Sequence, residues 1–138
     1  MSIDATLVDN RNGFLKVEVT GGTPVTAGGL GSLANPEGVL LGIIRAFVYF
    51  RTGSTGAATF DVGVGATATT ANASVMDFAD AVEATVGGKL VFGPTAQVAI
   101  TESPTALWDS DEYLVFTSGQ VTTGLDADVY IEYIRLED

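Results

Sequence analysis

VLLGIIRAFVYFR, Val39 to Arg51, is the most apolar stretch of the chain, and the choice between a helical and a β fold turns on it. Its β-branched and aromatic side chains favour a pleated strand, and turn-forming residues bound it on both sides. Read with a period of two, Leu40, Ile44, Ala46, Val48 and Phe50 share one face. Val39, Leu41, Ile43, Arg45, Phe47 and Tyr49 share the other. Both faces are largely apolar, which predicts a central strand covered on two sides, one cover being a neighbouring subunit. A buried helix is the alternative. The run is too short to span a bilayer and contains Arg45.

Strand signals continue in both directions. Upstream, Leu15, Val17 and Val19 alternate with Lys16, Glu18 and Thr20, the pattern of a half-buried strand, and Gly21-Gly22-Thr23-Pro24 stops it. The Gly-rich chain from there to Gly38 reads as a long connection or a weak edge strand. It closes in Asn35-Pro36-Glu37-Gly38, a turn by its chemistry. Downstream, Gly53-Ser54-Thr55-Gly56 reads as a hairpin break, so Ala58 to Gly65 is expected to pair back on the 39–51 strand. Residues 72–84 form the one candidate helix: Ser74 and Asp77 resemble a capping box, and Val75, Phe78, Ala79 and Val82 share a helical face. Strands follow at 89–93, 96–101, 112–118 and 126–136. In the last, Val129, Ile131 and Tyr133 oppose Asp128, Tyr130 and Glu132. With a weak first strand near Ile3 to Val8, the count is about eight. The expectation is a single all-β domain over residues 1–138, a jelly-roll-like antiparallel sandwich with at most one short helix. Residues 1–12 are a candidate N-terminal arm.

Composition narrows the function. The 138 residues hold six Lys plus Arg against seventeen Asp plus Glu, a net charge of −11, with 46% hydrophobic and 17% charged residues. An ordinary soluble domain is about 25% charged. The acidity therefore belongs to a folded surface, which repels phosphate backbones and anionic headgroups, so neither nucleic acid nor membrane is an expected partner. Cys and His are absent, excluding disulfides, Cys/His zinc sites and Ser–His or Cys–His catalytic pairs. The N-terminus has no basic and apolar leader, so synthesis in the cytoplasm is expected.

Three chemistries remain to weigh. Asp109-Ser110-Asp111-Glu112 and Asp126-Ala127-Asp128 offer oxygen ligands at spacing two, making Asp109, Asp111, Asp126 and Asp128 candidates for calcium or magnesium. The first cluster lacks the Gly and the distal Glu of an EF-hand loop, and the competing reading is a solvated turn between strands. Trp108, with Tyr113, Tyr130 and Tyr133, offers stacking surface for a sugar, although such rings more often belong to a core or a subunit interface. Paired carboxylates would serve glycoside hydrolysis only within a cleft that raises one pKa, and no acid stands out for that role. Gly28-Gly29-Leu30-Gly31 precedes no Gly-Lys-Ser/Thr and opens no helix, so it is no phosphate loop. The chain is read as non-enzymatic and without a required cofactor.

Three stretches carry a resemblance. They are Asn35-Pro36-Glu37-Gly38 ahead of an apolar strand with an internal Arg45, then Ala58 to Gly65 with its Thr-x-Asp-x-Gly core, then the ending Asp128 to Ile134. In this order they resemble small structural proteins of tailed bacteriophages and related viruses, the head decoration and minor virion proteins. The resemblance implies a jelly roll, homo-oligomers that are often trimers, and attachment to the major capsid protein or another virion protein on the outside of a capsid. It transfers no catalytic residue. The alternative function is a glycan- or receptor-binding module of a fibre or tail component. Copies carrying −11 repel one another, so assembly must rest on apolar contacts, β-pairing or bridging cations, and salt should help it.

Overall fold

The computed structural model describes residues 12–24, 29–69, 74–78, 80–92 and 107–137. The predicted strands near Ile3 to Val8 and at 96–101, and the N-terminal arm up to residue 11, lie outside them. The described residues form nine strands and one helical turn: β1 (Asn12–Thr20), β2 (Gly29–Ala34), β3 (Leu41–Thr52), β4 (Phe60–Gly65), β5 (Met76–Phe78), α1 (Glu83–Val86), β6 (Lys89–Phe92), β7 (Leu107–Trp108), β8 (Tyr113–Thr117) and β9 (Asp126–Arg135).

Two sheets face each other. Sheet A runs β1-β9-β3-β6, with the two-residue β7 also on β3; sheet B runs β2-β8-β4-β5. All the pairings are antiparallel, and they nest: β1 with β9, β2 with β8, β3 with β6, β4 with β5. A long hairpin rolled around a barrel axis produces this nesting, and the fold is the expected all-β, jelly-roll-like sandwich. Its core lies between the sheets. Leu41, Val48, Phe50, Phe60, Val62, Met76, Trp108, Leu114, Val129 and Ile131 have no exposed surface.

Strands β1 and β9 keep the alternation read from sequence, with Val19, Ala127, Val129, Ile131 and Tyr133 turned inward. Strand β3 departs from it. Its register against β9 slips between Ile43 and Arg45. The bulge changes which parity faces the core, so Leu41 and then Ala46, Val48 and Phe50 point inward, while Ile44 lies 51% exposed. The single face predicted for Leu40, Ile44, Ala46, Val48 and Phe50 is corrected accordingly.

Of the two readings of the Gly-rich segment before Asn35, the edge strand holds: β2 pairs with β8 at the end of sheet B. Two further expectations change. The break at Gly53 to Gly56 is no hairpin: β4 pairs with β8 and β5, in the other sheet from β3. There Thr55 N–H donates to the Thr123 carbonyl at 2.9 Å and Ser54 bridges Val82, so the segment crosses the sandwich corner. Finally, the helix expected over 72–84 gives way to β5, with Met76 and Phe78 buried around exposed Asp77, followed by the single turn α1. The apolar spacing in this stretch fits both periods, and pairing of Met76 with Val62 and Phe78 with Phe60 decides for the strand.

Candidate interaction surface

Parity on sheet A places a set of residues on the face turned away from the core. Strand β1 contributes Phe14, Lys16 and Glu18, β9 contributes Asp126, Asp128, Tyr130 and Glu132, and β3 contributes Arg45, Phe47, Tyr49 and Arg51. Phe14 pairs across to Glu132, which pairs to Arg45; Lys16 pairs to Tyr130, which pairs to Phe47. At the centre Phe47 and Tyr130 stack with ring centroids 4.9 Å apart, and Phe14 leans on both at 6.1 and 5.8 Å. The Arg45 guanidinium lies 5.6 Å from the Phe47 ring centroid, within cation–π range. Phe14 remains 54% exposed and Leu90 50% exposed, and Tyr49 is exposed as well. Rings on the outer side of a sheet gain nothing from the core, and a contiguous apolar patch of this kind marks a contact surface.

Ion pairs frame the rings. Arg45 Nη2 donates to Glu132 Oε2 at 3.2 Å, and Lys16 Nζ stands 3.4 Å from Glu18. Arg51 is the most heavily engaged. Its Nε and Nη2 donate to Asp126 at 3.1 and 2.8 Å, and Nη1 and Nη2 donate to Asp128, the latter at 3.0 Å. Asp128 is buried, and its charge is sustained by this fork. Hydrogen bonding to Arg51 holds both carboxyls below the usual carboxylate range and raises the guanidinium pKa.

The four candidate metal ligands do not converge. Asp109 and Asp111 lie in the β7–β8 turn, where Asp109 Oδ1 accepts from the Ser110 N–H at 2.7 Å and the Asp109 N–H donates to Glu112 Oε1 at 2.8 Å. Trp108 pairs with Leu41, as Arg135 does, so that turn lies beside the C-terminal end of β9, whereas Asp126 begins the strand. The strand rise puts roughly 25–30 Å between the two ends. Among the described residues no cluster of three acidic side chains is arranged to hold a metal ion.

The aromatic platform is divided in the same way. Trp108 is wholly buried, and its Nε1 donates to the Glu112 carbonyl at 3.0 Å. Tyr133 is buried too; its hydroxyl donates to Glu37, and burial followed by that bond pushes its pKa up to about 12. Tyr113 is half-buried in sheet B, and only Tyr130 belongs to the outer cluster. The motif Asn35 to Gly38 proves structural. Asn35 Oδ1 accepts from the Glu37 and Gly38 N–H groups at 2.9 Å, and its Nδ2 donates to the Val39, Trp108 and Asp109 carbonyls at 2.9 to 3.0 Å. Gly38 takes a φ of +71°, which a side chain would strain.

Sheet B carries a carboxyl pair that sequence reasoning missed. Asp61 on β4 lies directly opposite Asp77 on β5. Burial, then the hydrogen bond and like charge of Asp77, push the Asp61 pKa up to about 6. Asp61 therefore holds its proton to a higher pH than an ordinary carboxyl does. Asp61 and Asp77 are sixteen positions apart and meet only through strand pairing, so no local signal announced them.

No protein-family model, curated protein or solved structure matches the chain.

Proposed function

We propose that the chain is a non-catalytic structural subunit of a tailed-virus particle, a decoration protein bound on the outer surface of the head. The supporting observation is the outer face of sheet A, where Phe14, Phe47 and Tyr130 form an aromatic cluster that the jelly roll itself does not use. The viral setting rests on the resemblance of Asn35 to Gly65 and of the C-terminal strand to decoration and minor virion proteins. Its partners are then the major capsid protein or another virion protein, together with further copies of the chain. An acidic exterior suits an outward position, away from packaged DNA. Many weak contacts repeated over a lattice would stabilise the shell without any single tight one.

The test is co-sedimentation of the purified chain with heads of the virus whose genome encodes it. Saturable binding to the outside of the shell, weakened by Phe14→Ser, is expected. Heads that bind no chain at any ratio would sink the proposal. A glycan-binding module is the second reading, favoured by the exposed rings of this same cluster. It predicts a glycan-array signal lost in Phe47→Ala and kept wherever the outer cluster is intact.

A further inference from the structure

Strand β5 is the shortest strand of sheet B and lies at its end, paired among the described residues with β4 alone. Two of its three side chains anchor it. Met76 and Phe78 are buried, and the Phe78 ring centroid lies 5.5 Å from that of Phe50 and 6.2 Å from that of Phe60. The third, Asp77, is exposed and turned away from the core. Register sets it directly opposite Asp61, which stands on the same outer face between buried Phe60 and Val62. Side chains paired in this way have Cβ atoms about 4.5–5.5 Å apart, and like charges there destabilise the pairing. The middle pair of a three-pair ladder is therefore made of two acids.

No described basic residue offsets them. On the other side of β4, β8 sets Thr117 beside Asp61, and the titratable Tyr113 of β8 pairs with Gly65 at the far end. Strand β2 carries no titratable residue. Beyond β5, the Asp80 carboxylate accepts from the Val82 N–H and the Thr85 hydroxyl at 3.1 and 2.8 Å. Among the described residues no Lys or Arg acts on Asp61; burial, then Asp77, push its pKa up to about 6. On the outer face of sheet A, by contrast, Arg51 reconciles Asp126 with Asp128 by bonding to both.

We propose that the Asp61–Asp77 pair makes β5 a proton-operated latch on the edge of sheet B, closed on β4 while one acid keeps its proton and released more often once both are ionised. Met76 and Phe78 anchor β5 at any pH, so the pair sets how often the strand detaches. Detachment bares the backbone edge of β4, a row of donors and acceptors open to another strand. The latch is independent of the viral setting and of the outer face of sheet A. Its sign follows from linkage. In the detached form Asp61 is wetted and has lost its neighbour, so its pKa returns to about 3.9. Closure is then favoured while Asp61 is protonated and loses that support as pH rises through about 6. The two pKa values correspond to roughly a tenfold rise in the opening equilibrium from about pH 5 to pH 8. Solvent screening at this half-buried site reduces it to about threefold or more.

Amide hydrogen exchange of the full chain reads the latch. The reporter is the Val75 N–H, which donates to the Val62 carbonyl at 2.9 Å just ahead of β5. Its protection factor, corrected for the intrinsic rise of exchange with pH, should fall about threefold or more from about pH 5 to pH 8. With His absent, the usual source of titration in that range is missing. In Asp61→Asn the protection should stay level across the range. Asp77→Asn, which leaves Asp61 its burial but removes the facing charge, should fall less steeply than the native chain. Native protection that is level with pH overturns the proposal, and so does a fall that persists in Asp61→Asn. A fall as steep in Asp77→Asn as in the native chain overturns it too, because burial alone would then be responsible. An NMR titration of the Asp61 carboxyl carbon checks the same point without exchange. A midpoint at the ordinary value of about 4 would end the latch.

Discussion

Two clusters of three aromatic rings share strand β3 and do different work. Phe50, Phe60 and Phe78 meet between the sheets with centroids 5.5 to 6.2 Å apart. Phe14, Phe47 and Tyr130 meet on the outer face of sheet A at 4.9 to 6.1 Å. The spacings are alike, and the surroundings are not. Phe50 and Phe60 are fully buried, whereas Phe14 keeps half its surface in water and Phe47 lies under a guanidinium. The inner cluster ties β3 of sheet A to β4 and β5 of sheet B. The outer one joins strands that are already hydrogen-bonded neighbours, so it adds little to the fold and leaves area for a partner. A ring's contribution depends on what it removes from water, and the inner and outer rings of β3 sit three residues apart.

Four measurements break or sharpen that contrast. The largest effect belongs inside: Phe60→Ala should cost about 3–5 kcal/mol in chemical denaturation, because the sandwich cannot close over the missing ring. The same truncation outside, Phe47→Ala, should cost about 1 kcal/mol or less. A loss outside that equals the loss inside would end the distinction between the two clusters.

The third measurement compares the carboxyls of the two outer faces. Asp61 in sheet B has a raised pKa, so the native state holds a proton that the unfolded state releases. Its favourable contribution is complete below about pH 4 and is lost as pH rises through about 6. Asp61→Asn should therefore raise stability at pH 7, by about 1 kcal/mol after allowing for solvent screening, and flatten the profile between about pH 4 and 6. The smallest effect is the mirror image on sheet A. Asp126 and Asp128 are held low by Arg51, so their contribution is present above about pH 4 and disappears as pH falls below it. Arg51→Met should lower the denaturation midpoint at pH 7, and the deficit should shrink as pH falls below about 4 and the carboxylates take up protons.

What sequence could reveal follows from how local each determinant is. Strands β1 and β9 were legible, faces included, because one parity is apolar and the other polar. Strand β3 was legible as a strand only. With both parities apolar, nothing in its order of residues locates the bulge at Ile43–Arg45, which the pairing with β9 imposes. Met76 to Phe78 was misread as helix because Val75, Phe78, Ala79 and Val82 fit a helical spacing while the pairing that wins lies on β4. The acidic residues Asp126 and Asp128 were visible, but Arg51 is 75 positions away from the first of them, and only the fold joins them. The outer cluster did leave a signal. Phe14 shares its parity with Lys16 and Glu18, and Tyr130 shares its own with Asp128 and Glu132. An aromatic ring on the polar side of a strand is the feature to look for.

The nested pairing has one more consequence. Strand β9 lies between β1 and β3 in sheet A, yet it is translated after every other described strand. Until Arg135 has left the ribosome, β1 has no partner in sheet A and β3 has only β6 and the short β7 along one edge. Closure over such long sequence separations is slow, so the nascent chain spends its early life with one edge of its stickiest strand uncovered.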